Sequence, residues 1–422
     1  MVHPALNNRV MSGIRNGNSG STVITNIGEL MTQDLEHRVL KDAAMVIEGE
    51  RISWIGAAKD APAADAMVDA EGRAVLPGWV DSHSHLVFAG DRTAEFEARM
   101  AGESYSAGGI AVTTGATRSV SDDELTRLVR DRVAEAVSQG TTYLESKTGY
   151  GLDVENEARS ARIAAAEVDE VTFLGAHLVP KGSDPEEYTD LVCGPMLDAV
   201  LPHVRWADVF CERGAFTEDQ SRRVLTAARE AGLGLRVHGN QLGEGPGVAL
   251  AVEFAAASVD HVNYLSDKNI RDLAGTWAGW DPATGTGTRG TVATCLPACD
   301  LSTRQPLAPG RELIDAGVQI ALAANCNPGT SYTSSMAFCV TTAVLQMHLS
   351  VHEAVRAATY GGALALGRES GNDVDGERAV GSLAVGHRAD LHLLKAPSAT
   401  HLAYRPGIPL THSVWRAGVR AV

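Results

Sequence analysis

Cysteine is sparse and scattered in this chain, with six residues (Cys193, Cys211, Cys295, Cys299, Cys326 and Cys339) among 422. A disulfide framework needs a denser, patterned set, and no Cys-x-x-Cys pair is present to suggest structural zinc or dithiol redox chemistry. Cys295 and Cys299 flank Pro297 without a second pair, which reads as two buried structural thiols. Positive charge is also short. Lys and Arg total 36 against 52 Asp and Glu, a formal charge of −16 with a pI near 5.3. Such a surface repels nucleic acid and anionic membranes, so neither is an expected partner, while a local basic pocket for an anionic substrate stays open. No run of about 18 apolar residues occurs, so nothing is expected to span a membrane. The segment MVHPALNNRVMSGIRNGNSGS has no apolar h-region. It reads as a disordered lead-in over residues 1–20 rather than a signal peptide or anchor, which leaves the cytoplasm as the default compartment.

Apolar residues make up 44% and charged residues 21%, the balance of an ordinary globular protein. The length allows a large core and more than one domain. From 21 to 75 the chain reads as short strands (22–26, 44–47 and 52–55), the last two joined by a hairpin at Glu48-Gly49-Glu50-Arg51. Further strands are expected at 381–383, 389–394 and 412–422. Residues 21–75 and 379–422 are therefore assigned to one small β-sandwich-like domain built from both termini.

Between them, residues 76–378 alternate strand and helix signals. Strands are expected at 74–80, 141–145, 171–176, 207–210, 234–237, 258–261, 291–296 and 318–323. Capping boxes at Ser121–Glu124, Thr217–Gln220 and Ser350–Glu353 open helices between or after them. Eight β/α units in this span predict an α/β fold, a (β/α)8 TIM barrel. The Gly/Thr-rich stretch 276–290 reads as a flexible insertion, or as a contact anchored by its two tryptophans.

In such a barrel, functional residues gather at the C-terminal ends of the strands. His83 and His85 follow the first strand, His177 the third, His238 the fifth and His261 the sixth; strand eight runs into Ala324-Asn325-Cys326-Asn327-Pro328-Gly329. His83, His85 and His238 offer three neutral nitrogen ligands, which suits zinc or ferrous iron with an open position for water. Asp81, on the face expected for His83 and His85, is placed to orient a histidine through its second ring nitrogen. His177 and His261 are left for substrate polarisation or proton transfer. Arg92 is read either as a bidentate clamp for a carboxylate or as a surface ion pair with Asp91 or Glu95.

Seven segments carry a resemblance in register from about Gly72 to Gly367: PGWVDSHSHLVFAGDR, KTGYGLD, TFLGAH, DVFCERGAF, VHGNQL, VDH and NPGTSYTSSM. Together they resemble the imidazolonepropionases of the amidohydrolase superfamily. That likeness implies a TIM barrel with one zinc or iron ion (Zn2+ or Fe2+/Fe3+). It implies hydrolysis of 4-imidazolone-5-propanoate to N-formimidoyl-L-glutamate in histidine degradation. By the same resemblance His83, His85 and His238 are metal ligands, and Arg92, Tyr150 and His177 bind substrate. His261 stands near the reacting carbonyl, and Asn327 contacts the propanoate or the ring. Two positions depart from the family pattern. Asn325 stands where a metal-site aspartate is usual, and Gln241 where a glutamate is common; both keep hydrogen bonding and lose base capacity. Two alternatives follow: impaired catalysis, or action on a related carboxylate-bearing heterocycle. By analogy with other acidic barrels of the superfamily, a homodimer is one expected assembly.

Overall fold

The computed structural model describes residues 20–102, 109–371 and 377–422. The expected lead-in at 1–20 therefore lies, apart from Gly20, outside the described residues. Both ends of the chain meet in one hydrogen-bonded sheet of eight strands. Its order runs Val419–Arg420, Thr411–Arg416, Leu391–Leu394, Ala74–Pro77, Ser21–Met31, Val39–Glu48 and Arg51–Ala57, with Ala66–Asp69 parallel to the long first strand. The hairpin expected at 48–51 is present, pairing Glu48 with Arg51, and Gly49 takes a positive φ of 56° that an L side chain disfavours. Residues 381–383, expected as a strand, form an irregular turn instead; Leu383 still packs with Ile24, Leu30, Met45 and Trp415 in the core of this sheet.

The second eight-stranded sheet is wholly parallel where paired: Trp79–Asp81, Thr141–Lys147, Glu170–Ala176, Trp206–Cys211, Gly234–Gly239, Ser258–His261, Val292–Cys295 and Ile320–Leu322. These are barrel strands one to eight, and every expected strand has its counterpart. The run 74–80 is the exception in kind, because it divides. Ala74–Pro77 pairs in the terminal sheet, and Trp79–Asp81 begins the barrel. Gly78 is the junction, and a Cβ there would sit 2.2 Å from the side chain of Thr142. Trp79 anchors the crossing, fully buried, with its Nε1 donating to the Gln139 carbonyl at 3.2 Å.

Strands one and eight are not ladder partners along their length. They are joined just beyond their ends, where Asn325 N donates to His83 O and His85 N donates to Cys326 O, each at 2.9 Å. Gly361 and Gly362 back this seam. A side chain on the first would strike Ile320 O, and on the second Val80 O.

The helices start where the capping residues place them. Thr217 and Ser350 form complete capping boxes with Gln220 and Glu353, and Ser121 accepts from Glu124 N. Ser266 and Asn269 form another box that Glu/Gln-based pattern reading passes over. The stretch 276–290 is a short hairpin, Trp280–Asp281 against Thr286–Gly287. Trp277 is buried beneath it with Nε1 donating to Thr291 O at 3.0 Å, so the contact reading of this stretch is the one that fits.

Candidate active site

The chain leaves strand one at Asp81 and continues without regular structure through residues 82–89, all buried. His83 and His85 project from this segment to meet His238, the fifth residue of strand five. The ligating atoms of the three rings lie within 4.8 Å of one another, and all three residues are buried. His83 Nε2 and His85 Nε2 are 3.3 Å apart. Two nitrogens each about 2.0–2.1 Å from one ion at a tetrahedral angle would stand about 3.3 Å apart, so the pair fits a shared ion.

Carboxylates on the far side hold two of these rings. Asp260 Oδ2 lies 2.7 Å from His83 Nδ1, and Asp208 Oδ2 lies 2.9 Å from His238 Nδ1. The hydrogen bond to Asp260 fixes the Nδ1–H tautomer of His83 and turns its Nε2 lone pair towards the common centre, while Asp208 stands beside His238 as a buried counter-charge. Asp81, expected in that role, does something else. Its Oδ1 accepts from Ala324 N at 3.1 Å and His83 N at 3.5 Å, so it ties the barrel seam rather than a ring. Asp208 and Asp260 escaped the sequence reading. A carboxylate inside an apolar strand, as in ADVF or SVDH, was the available signal, since a buried charge needs a partner.

Those partners are Lys147 and Arg236. Lys147 Nζ lies 3.0 Å from Glu145 Oε1 and 3.1 Å from Asp208 Oδ2, and Arg236 Nη2 lies 3.2 Å from Asp260 Oδ2. Three buried carboxylates against two buried cations leave one negative charge under the histidines, which favours a cation above them. Burial opposes the charge on Asp260, but Arg236 and His83 outweigh it and hold the group well below the usual carboxylate range. Burial, reinforced by the Lys147 charge, holds His83 well below the usual imidazole range. Burial does the same to His85, helped by its histidine neighbours. Both rings are thus neutral at neutral pH, the form that can ligate a metal. Asp208→Asn is expected to weaken metal binding by about 10- to 100-fold. Competition against a chromophoric chelator measures this, and unchanged affinity would mean that packing alone orients His238.

Around the three histidines a small cavity is lined by Arg92, Tyr150, His177, Gln241, His261, Asn325 and Asn327, among others. Sequence reading named all seven, and the fold brings them together. His177 Nδ1 bonds Gly149 O at 2.9 Å, and its ring stacks on His85 at 5.6 Å between centroids. Burial lowers its pKa to about 4. Arg92 is buried at the cavity wall, and its Nε and Nη2 bond Glu95 at 2.8 and 2.7 Å. Of the two sequence readings, the ion pair is present, with Glu95, but the Arg92 side chain is buried in the cavity wall rather than at the surface. Asn327 lines the cavity, yet its amide is already engaged. Nδ2 donates to Asn325 O and Thr330 Oγ1, and Oδ1 accepts from Gly329 N and Thr330 N. Its evident task is to shape the loop after strand eight.

Gln241 donates its backbone N–H to Glu212 and directs Nε2 to Cys299 Sγ at 3.9 Å. Three residues at the rim take left-handed backbone: Asn240 (φ 58°), His261 (φ 85°) and Asn325 (φ 52°). Asparagine tolerates this conformation, whereas histidine at 85° is strained, as residues held for function often are. A larger groove of about 510 Å³ opens beside the cavity and shares Arg92 and Thr330 with it.

Fold and rim together define an amidohydrolase, and residues 74–418 match the model of the amidohydrolase family. The chain is 94% identical to imidazolonepropionase of Paenarthrobacter aurescens strain TC1, covering 96% of this chain and 99% of that one. It is 83% identical to imidazolonepropionase of Arthrobacter sp. strain FB24, over 95% of this chain and all of the other. The chain belongs to the imidazolonepropionases of the amidohydrolase family. Among solved structures, the fold is similar to zinc-complexed atrazine chlorohydrolase TrzN from Arthrobacter aurescens TC1 (TM-score 0.69, 18% identity, 94% of each chain). It is also similar to a zinc-bound adenosine deaminase from Xanthomonas campestris (TM-score 0.65, 18% identity, 94% of this chain and 92% of that one).

Proposed function

We propose that this chain is a cytoplasmic, metal-dependent hydrolase that opens the ring of 4-imidazolone-5-propanoate to N-formimidoyl-L-glutamate in histidine degradation. The supporting observation is the convergence of His83, His85 and His238 within 4.8 Å at the barrel mouth of a chain with imidazolonepropionase relatives. Three neutral imidazoles suit zinc or iron, with Asn325 able to add a neutral oxygen. When bound there, the ion supplies Lewis acidity and lowers the pKa of bound water towards about 7.

Everything else falls to side chains. Hydrolysis forms one C–O bond at the ring carbonyl carbon, breaks the ring C–N bond and delivers a proton to the departing nitrogen. His261 meets the carbonyl oxygen and stabilises the negative charge as it develops. Tyr150 and His177 fix the ring in the cavity, and Arg92 receives the propanoate. Arg92→Ala is expected to raise KM for the propanoate substrate roughly ten- to hundred-fold, the worth of one charged hydrogen-bonding partner. A ring analogue without the tail should lose little. Equal losses for both compounds would remove Arg92 from carboxylate recognition.

Product formation from imidazolone propanoate, measured beside metal content per chain, tests the whole reading. A metal-loaded protein that leaves the compound intact would defeat it. The neutral Asn325 and Gln241 favour a second reading, in which the pocket binds its ligand without turnover. That protein would show a thermal shift with imidazolone propanoate and form no product. A panel of carboxylate-bearing heterocycles separates both from a hydrolase of a related ring.

A further inference from the structure

The loop after strand two, within KTGYGLD, carries Tyr150 into the cavity, and a carboxyl group that the sequence reading passed over grips it from below. Glu157 lies in the first turn of the helix Val154–Glu167 and is fully buried. Its Oε1 accepts from Gly151 N at 2.7 Å and Leu152 N at 2.8 Å. Gly149 N is shared between Oε1 and Oε2, at 3.2 and 3.1 Å. The Thr148 side chain bonds the same group, and its Oγ1 accepts from Leu174 N of strand three at 3.0 Å. The N–H groups on both sides of Tyr150 thus close on one carboxyl group. The other buried residues of this helix are small or apolar, Ser160, Ala161, Ile163 and Ala164. Glu157 is the one costly choice on that face, because a buried acid must be matched by donors.

Two glycines let the loop come so close. Gly149 sits at φ 111°, where an L side chain is disfavoured, and a Cβ on Gly151 would fall 2.5 Å from Asn156 C. The Gly149 carbonyl oxygen in turn meets His177 Nδ1 at 2.9 Å. Two neighbouring rings of the cavity wall, 5.4 Å apart between centroids, therefore hang from the same clamp. Tyr150 does so through the chain and His177 through Gly149 O.

We infer that Glu157 is a positioning residue for substrate binding, setting the depth of the Tyr150 ring and, through Gly149, the tilt of His177. The inference rests on the roles given to Tyr150 and His177 in the proposed function. It adds that their contacts with the ring are coupled, since one carboxyl group fixes both. A binding wall needs its groups held to within a fraction of an ångström, and a loop alone does not supply that.

Glu157→Gln in the metal-loaded protein is the test. The amide keeps the size of the side chain but turns an NH2 group on N–H donors, so the loop should loosen while the core stays filled. KM for imidazolone propanoate is expected to rise about ten- to hundred-fold, the worth of a hydrogen bond to a charged group, with kcat within about three-fold. Amide exchange read by mass spectrometry should quicken at least about ten-fold over residues 148–152 and stay unchanged in the barrel strands. In a Tyr150→Ala/His177→Ala background the same substitution should alter KM by less than about two-fold, because its effect passes through those rings. An unchanged KM in the single variant would overturn the inference. So would an equal rise in the double background, or exchange quickened throughout the barrel, either of which makes Glu157 a general prop of the fold. If the wild type forms no product, the proposed function falls, and affinity for imidazolone propanoate by calorimetry takes the place of KM with the same outcomes deciding. A wild type that does not bind the compound at all would overturn both.

Discussion

Asn325→Asp is expected to raise kcat on imidazolone propanoate by on the order of 10²–10⁴, the usual value of one positioned general base. The substitution is nearly isosteric, and the site is ready for it. Asn325 is buried at the end of strand eight, its backbone N–H is held by His83 O, and its Oδ1 already accepts from Asn327 Nδ2 at 3.2 Å. A carboxylate there would keep that hydrogen bond and add a charge beside the three histidines. It should also tighten the metal and destabilise the metal-free protein, because an unpaired buried charge is unfavourable. Steady-state kinetics with metal analysis measure both effects. A folded, fully loaded Asp variant no faster than the wild type would show that proton transfer lies elsewhere in this chain.

The second large effect is expected at His261. His261→Asn should lower kcat by about 10²–10³, the loss seen when one donor to a developing oxyanion is removed. Asparagine is the replacement of choice because it tolerates the left-handed backbone at φ 85° better than alanine would. The three metal-site histidines are untouched, so metal content should stay at the wild-type level and KM should move little. A loss in KM alone would make His261 a binding group. A loss of metal would make it a ligand.

Much of this site was legible because barrel chemistry gathers at strand ends, and histidines there stand out against apolar strands. What stayed hidden has physical causes. Asp81 was assigned to a histidine by strand alternation, but the strand stops at Asp81 and the period of two lapses in the irregular segment that follows. Asp208 and Asp260 lie within the quoted segments, yet their partners Lys147 and Arg236 come from other strands, and no local pattern announces a contact across a barrel. The run 74–80 looked like one strand because hydropathy cannot report that Gly78 hands the chain from one sheet to another. Asn327 lines the cavity, and its amide is also engaged with its own loop, a turn role that the local sequence does not announce.

The hydrogen bonds that join strand one to strand eight run through His83, His85 and Asn325. The hoop of staves is thus buckled at the spot where an ion would sit, and the buckle and the candidate site share the same residues. Capturing a cation there would cinch the first stave to the last, so a chelator would slacken the vessel as well as silence its chemistry.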